Sequence, residues 1–183
     1  MLSIIIPTRG RKESLKRCTD SIEKYTKNYE LIIVEGEDGY NKSLNVGIKR
    51  AKGDYFVTLH DDHTVSQGWA RVLAEVGSFR QGELGDKFDH WGGYWRPDGY
   101  CINPKEHPDY PAMWCISRKA MKKIGLFDEF YKDPGYQDVD LGFQIKKAGY
   151  KIKCLPGKVI HWVERTKPLS EENLKYLKEK WAC

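Results

Sequence analysis

At 183 residues, 40% of them hydrophobic and 31% charged, the chain has the length and composition of one soluble globular domain. No apolar run reaches membrane-spanning length, and the amino terminus lacks a signal peptide. The five cysteines are scattered without Cys-x-x-Cys spacing, which argues against a zinc site or a disulfide framework and makes a reducing cytoplasm the expected compartment. The formal net charge of +5 reads first as a solvated lysine-rich surface, and otherwise as one that attracts phosphorylated substrates, anionic lipid at a membrane or nucleic acid. No nucleic-acid-binding motif accompanies that charge, so no nucleic-acid partner is expected.

Taken in chain order, Ser3–Pro7 is an apolar run that reads as a first strand, closed by the turn Pro7-Thr8-Arg9-Gly10. Lys12–Tyr25 carries Leu15, Cys18, Ile22 and Tyr25 at helical spacing. Tyr29–Glu35 is a second strand. Tyr40–Lys52 reads as a helix with Leu44, Ile48 and Ala51 on one face, ended by Gly53, and Asp54–Leu59 is a third strand. Strands and helices alternating at this length imply a mainly parallel sheet with right-handed crossovers. The cleft of such a sheet lies beyond the carboxyl ends of its strands, near Thr8, Glu35 and Asp61.

The third strand stops at His60-Asp61-Asp62-His63. Two acids at a strand end are as compatible with a solvated turn or a helix cap as with a site for a hard cation bearing phosphate oxygens. Beyond them, Ser66–Val76 reads as a helix. Ser78–Pro111 is rich in Gly, Pro and aromatics, among them Trp91, Tyr94, Trp95 and Tyr100, and reads as an ordered irregular excursion. Its rings serve either the packing of that excursion or stacking on sugars and bases. Ala112–Ser117 is a further strand and Arg118–Ile124 a short helix. Asp138–Ala148 is a helix, Tyr150–Leu155 and Lys158–Trp162 are strand-like, and Glu171–Trp181 is a terminal helix.

A second acidic cluster opens the helix at 138. Carboxylates are favoured there by capping and by the helix dipole alone. The spacing separates the two acids. Asp138 shares a face with Leu141, Ile145 and Ala148 and is placed to look inward over a cleft. Asp140 falls with Gln144 and Lys147, where it would cap, hold a neighbouring segment or lie at the rim. His161 ends a short strand; such a histidine is ordinarily structural, and becomes a ligand when a metal is near.

The ordered set of segments resembles glycosyltransferase family 2, the inverting sugar transferases of GT-A fold, over nearly the whole chain. Ile4-Ile5-Ile6-Pro7-Thr8-Arg9-Gly10-Arg11 is similar to the family's opening strand and nucleotide-binding turn. Leu31-Ile32-Ile33-Val34-Glu35 is similar to its second strand, which ends in an acid at the nucleobase. Asn45-Val46-Gly47-Ile48 and Gly53-Asp54-Tyr55 match the helix and the entry to strand three, and Asp61-Asp62 stands at the Asp-x-Asp position. Gly125-Leu126-Phe127-Asp128-Glu129 and Gln137-Asp138-Val139-Asp140-Leu141 resemble two later family segments.

The resemblance implies a single domain, 1–183, with a nucleotide-binding half at 1–65 and an acceptor-binding half at 66–183. It implies transfer of a sugar from a nucleoside diphosphate sugar, a UDP-sugar first among them, to a saccharide or other hydroxyl acceptor. Asp138 takes the place of the catalytic base. Pro7, Thr8, Arg9, Glu35, Asn45 and Asp61 take those of nucleotide contacts. Asp62 and His161 are the implied ligands of Mn²⁺ or Mg²⁺, and Trp91, Trp114, Gln137 and Asp140 lie on the acceptor side or support the base. The chain departs from the family at His60, at Leu44 where an arginine is common (with Lys42 nearby to compensate), at Glu35 for Asp and at Gln137 for Glu. The last removes a like charge beside Asp138 and so favours its ionised form. A non-catalytic nucleotide-sugar-binding module is the alternative reading. A sugar-1-phosphate nucleotidyltransferase fits less well, because the turn after strand one has a single glycine.

Overall fold

A computed structural model describes residues 1–70, 114–132, 135–150, 159–162 and 170–182. Among these, the first half of the chain runs β1 (Leu2–Thr8), α1 (Lys12–Tyr25), β2 (Tyr29–Glu35), α2 (Tyr40–Arg50), β3 (Tyr55–Thr58) and β4 (His63–Val65). The second half supplies β5 (Cys115–Ser117), α3 (Arg118–Ile124), α4 (Gln137–Lys147), β6 (Val159–His161) and α5 (Glu171–Trp181). The expected α1, β2, α3 and the terminal helix have the expected bounds, and the other expected elements that are described shift by a few residues. The short β4 has no counterpart in the sequence reading: a three-residue strand is too brief for a period-2 signal. Trp91 and the rest of the aromatic excursion, and most of the expected strand after Tyr150, lie outside the described residues.

The main sheet has the order β2-β1-β3-β5. β1 pairs in parallel with both β2 and β3, and β5 runs antiparallel at the edge. β4 and β6 form a separate antiparallel pair. β1 is buried on both faces, as an apolar run between two covered faces requires. Ile4 and Ile6 pack with Cys18 and Ile22 of α1, with Val57 and with Trp69. Ile5 faces the other way, against Leu44 and Ile48 of α2, Phe56, Ile116 and Leu141 of α4. Each fully buried isoleucine contributes about 1.5–3 kcal/mol, so the three of them pin β1 between the two helical layers.

Two glycines let backbone approach backbone. A Cβ on Gly47 would lie 2.3 Å from Ile5 Cγ2, so α2 sits directly on β1. A Cβ on Gly53 would lie 2.6 Å from Ser3 Oγ and 2.7 Å from the Met1 carbonyl. The junction beside Gly53 is held by Arg118, whose guanidinium donates to the Ala51 carbonyl at 2.8 Å and, through Nε, to that of Gly53 at 2.9 Å. The sheet edge is thereby tied to the start of α3.

Sheet register positions the acids. β1 and β2 end level, with Thr8 opposite Glu35. β1 and β3 pair Ile5 with Thr58, so three residues further on Thr8 comes level with Asp61.

Candidate active site

The turn after β1, the end of β2 and the end of β3 meet at one place. Thr8 donates its hydroxyl to Asp61 Oδ2 at 2.7 Å and accepts the Gly10 amide at 3.1 Å. Gly10 is left-handed, with φ of 81°, a conformation glycine adopts without strain. A Cβ there would lie 3.0 Å from Glu35 Oε1, so the Glu35 carboxylate leans over the turn. Arg11 grips Asp61 through Nη2 and through Nε at 3.3 Å, and reaches Asp62 Oδ2 through Nη1 at 3.4 Å. Asp61 and Asp62 are 2% and 4% exposed, so two neighbouring carboxylates are buried and share one guanidinium.

β6 closes the site from the second half of the chain. The Trp162 amide donates to the Asp62 carbonyl at 3.0 Å, and the register sets His161 opposite His63. The backbone of His161 therefore runs beside the diacid. His60 is part of a stack of rings: its centroid is 4.8 Å from that of Tyr40 and 4.9 Å from that of His63. Its amide donates to His63 Nδ1 at 3.2 Å, so a neutral His63 carries its proton on Nε2. The departure at His60 thus builds a wall of the site. Beneath it, burial, with Asp61 and Asp62 adding, pushes the Cys18 thiol up to about 12, which leaves it protonated and inert.

Asp138 stands in the first turn of α4, half-buried, with Oδ1 accepting the Val139 amide at 3.0 Å. Tyr40, the first residue of α2, links it to the diacid. Burial raises the pKa of the Tyr40 phenol, and the charges of Asp138, Asp62 and Asp61 raise it further. All three acids therefore act on one hydroxyl, which brings the acid of the second half to the same space as the pair from the first. The sequence reading did not single out Tyr40, because a tyrosine after a glycine at a helix start carries no motif.

The remaining expected contacts are placed as follows. Asn45 is 1% exposed; its amide donates to the Phe127 carbonyl and to Glu129 Oε1, both at 2.8 Å, and its Oδ1 accepts the Phe127 amide at 2.9 Å. It holds the 127–129 loop against α2. Leu44, at the position where the family commonly has arginine, is core, and Lys42 pairs with Glu37 at 3.2 Å. Arg9 is exposed on the side of Asp38, and Pro7 lies within β1 opposite Val34. Trp114 is 6% exposed and packs in the core layer of α2 and α4; its main chain exchanges hydrogen bonds with Thr58. Gln137 accepts the Gly135 amide at 2.8 Å, shaping the turn into α4.

Asp140 is buried more deeply than its polar neighbours in sequence suggest, at 1% exposure. It takes hydrogen bonds from Gln144 at 2.6 Å, Trp181 Nε1 at 2.6 Å and Lys180 Nζ, 2.8 Å from Oδ1. Lys180 also meets Asp128 Oδ2 at 2.6 Å, and the Tyr176 hydroxyl donates to the same oxygen at 2.8 Å. One cation thus joins α5 to both α4 and the 127–129 loop. Burial opposes ionisation of Asp128, but the hydrogen bonds from Lys180, Phe130 and Tyr176 outweigh it and hold its carboxyl below the ordinary 3.8. A depressed carboxylate stabilises the fold above its unfolded pKa and loses that effect as pH falls through the folded value. The docking of α5 is therefore expected to weaken below pH 3.8, read from the indole N–H resonance of Trp181. A Lys180→Met variant should lack most of this acid sensitivity; an unchanged acid transition in that variant would count against the network.

Among the described residues, no three His, Cys, Asp or Glu side chains converge as a ready-made metal cage. The donor chemistry nonetheless fits Mg²⁺ or Mn²⁺ carried by phosphates, since such ions take one or two carboxylates and draw their remaining ligands from substrate and water.

The comparisons agree with this architecture. Residues 35–125 match the family model described as glycosyl transferase family 2. A galactofuranosyl glycosyltransferase of Leishmania donovani is 35% identical over 66 residues, 36% of this chain and 15% of that protein, so the chain spans a small part of that relative's length. Among solved structures, the catalytic domain of Drosophila beta1,4galactosyltransferase 7 in complex with xylobiose superposes with a TM-score of 0.64 at 16% identity, covering 97% of this chain and 79% of that one. S. aureus TarS superposes with a TM-score of 0.70 at 14% identity, covering 98% of this chain and 38% of that one. A parallel sheet whose first and third strands deliver Thr8 and a buried diacid, with the family's sequence pattern running from Glu35 through Gly125, leads to one conclusion: the chain has the GT-A fold, and its residues 35–125 match glycosyl transferase family 2.

Proposed function

We propose that this chain moves a sugar from a nucleoside diphosphate sugar to an acceptor hydroxyl with inversion at the anomeric carbon. The observation that carries the reading is the buried Asp61–Asp62 pair beyond the parallel strands, held by Thr8 and Arg11, with the half-buried Tyr40 within electrostatic range of that pair and of Asp138. A base and a donor-binding diacid on the same space are what a direct displacement needs. A mutant of the Drosophila enzyme was solved with manganese, UDP-Gal and xylobiose, which supports a UDP-sugar donor and a saccharide acceptor for the related fold here.

Thr8, Arg9 and Glu35, grouped at the ends of β1 and β2, bind the nucleoside, with Asp61 at the ribose. Asp62 holds the divalent ion, with His161 contributing from β6. When bound, such an ion neutralises charge on the departing diphosphate. Asp138 accepts the acceptor's proton as the hydroxyl oxygen forms its bond to the anomeric carbon. The bond to the diphosphate breaks on the opposite face, and its electron pair leaves with the phosphate oxygen. The ring wall of Tyr40, His60 and His63 keeps water from the buried side of the acids.

Incubating the chain with UDP-sugars and Mn²⁺, with and without oligosaccharide acceptors, tests the reading. Slow UDP release is expected from donor alone, because water replaces the acceptor, and faster release with acceptor. Proton NMR of the product should show the inverted anomer. Thermal stabilisation by a nucleotide-sugar without any UDP release would instead make the chain a binding module. The absence of both would remove the reading altogether.

A further inference from the structure

We infer that Asn173 of α5 is a positioning residue for the proposed base: it holds the strained turn from which the chain enters α4 and presents Asp138. The inference rests on Asp138 taking the acceptor's proton, as proposed above. The turn has an unfavourable backbone. Gly135 has φ of 115°, and Tyr136 follows at φ 68° and ψ −6°. Among the described residues, Asn28, Tyr136 and Ala182 are the non-glycines with positive φ, and Tyr136 is the bulky one. A left-handed tyrosine crowds its Cβ against the following carbonyl, so the conformation persists only where neighbours impose it.

Those neighbours are visible. The Gly135 amide donates to Gln137 Oε1 at 2.8 Å, and the Gly135 carbonyl accepts Asn173 Nδ2 at 3.0 Å. The first bond comes from α4 itself; the second ties the turn to another helix. Asn173 is 3% exposed and stands in the first turn of α5, where its own amide donates to Ser170 Oγ at 3.2 Å. Two turns further along α5, about 12 Å away, Trp181 Nε1 donates to Asp140 Oδ1 at 2.6 Å. One helix thus grips the chain at residue 135 and again at residue 140, on either side of Asp138. Losing the first grip lets the Gly135–Tyr136 turn relax toward ordinary backbone and swings the Asp138 carboxylate. A misplacement of about 1 Å can cost about a hundredfold in rate.

The test compares Asn173→Ala alone and combined with Asp138→Asn, using Mn²⁺ and the UDP-sugar and acceptor that the wild-type chain turns over fastest. Asn173→Ala should lower kcat by about ten- to a hundredfold and leave the donor KM within about twofold. In the Asp138→Asn background the same substitution should change the residual rate by less than about twofold, because a side chain that takes no proton loses nothing by being misplaced. A residue serving stability alone would lower the rate by the same factor in both backgrounds or in neither, and either result overturns the proposal. Should Asn173→Ala not fold, Asn173→Ser, one atom too short to reach Gly135, carries the same expectations. Independently of turnover, the Gly135 and Asp140 amides should exchange with solvent about tenfold faster in the variant; unchanged exchange there also overturns the proposal. Failure of the base assignment shows separately, as wild-type transfer by Asp138→Asn, and removes the proposal with it.

Discussion

Asp138→Asn is expected to lower sugar transfer by about a hundred- to ten-thousand-fold, the range general-base catalysis supplies. Donor affinity should stay within about twofold, because an interaction made only in the transition state leaves ground-state binding alone. The substitution is close to isosteric. It keeps the oxygen that accepts the Val139 amide at 3.0 Å, so the first turn of α4 retains its local bond. What it removes is the capacity to take a proton. Asp140→Asn is the contrasting case. That carboxylate answers Lys180 and Trp181, so its neutralisation should loosen α5 and lower the melting temperature, and leave the pH dependence of the remaining activity as in the wild type. Transfer retained by Asp138→Asn, or a shifted pH profile in Asp140→Asn, would exchange the roles assigned to the two acids.

The contrast shows which parts of the site are legible in the sequence. Asp61 and Asp62 are conspicuous because an apolar strand ends on them, and a strand end in a parallel sheet is a cleft. The Thr8 and Glu35 positions follow from the same rule, and the register of β1 against β2 and β3 puts them where it requires. Arg11 does not follow. Fifty positions separate it from Asp61, and no local pattern tells an arginine that pairs from one that is solvated. Helical spacing sorts Asp138 from Asp140 onto different faces but does not reveal what covers a face. The polar face of α4 is covered by α5, with Phe143 against Trp181 and Leu177 in the shared cluster, so an acid expected to cap, hold a segment or lie at a rim becomes a buried anchor. Asn45 and Trp114 show the converse. Each has the chemistry of a binding residue, and each is committed to backbone contacts or core that only the tertiary fold creates.

Gly47→Val is expected to be the most destabilising of the substitutions considered, and to disturb the site from a distance. Two effects oppose one another. Replacing glycine inside a helix gains up to about 1 kcal/mol of backbone propensity, less for a β-branched residue. Against this, the new Cβ would stand 2.3 Å from Ile5 Cγ2 and 3.4 Å from Ile5 Cβ and Cγ1, before the two branches are added. Ile5 is fully buried in β1, between two paired strands, and cannot withdraw. Overpacking of this kind costs about 1–3 kcal/mol and occasionally more. Steric repulsion therefore wins, with a net loss of about 2 kcal/mol and a fall in melting temperature of about 4–8 °C for a chain of this size. Val46→Ala, half-exposed on the same helix, serves as the control and should shift the midpoint little. The consequence reaches the chemistry because α2 carries Tyr40 at its start and Asn45 one turn later. A helix pushed off β1 moves the phenol away from the acids and strains the three hydrogen bonds that hold the 127–129 loop. Activity of the folded fraction should therefore fall as well. A Gly47→Val protein with wild-type melting and wild-type transfer would mean that α2 does not rest on β1 at this glycine.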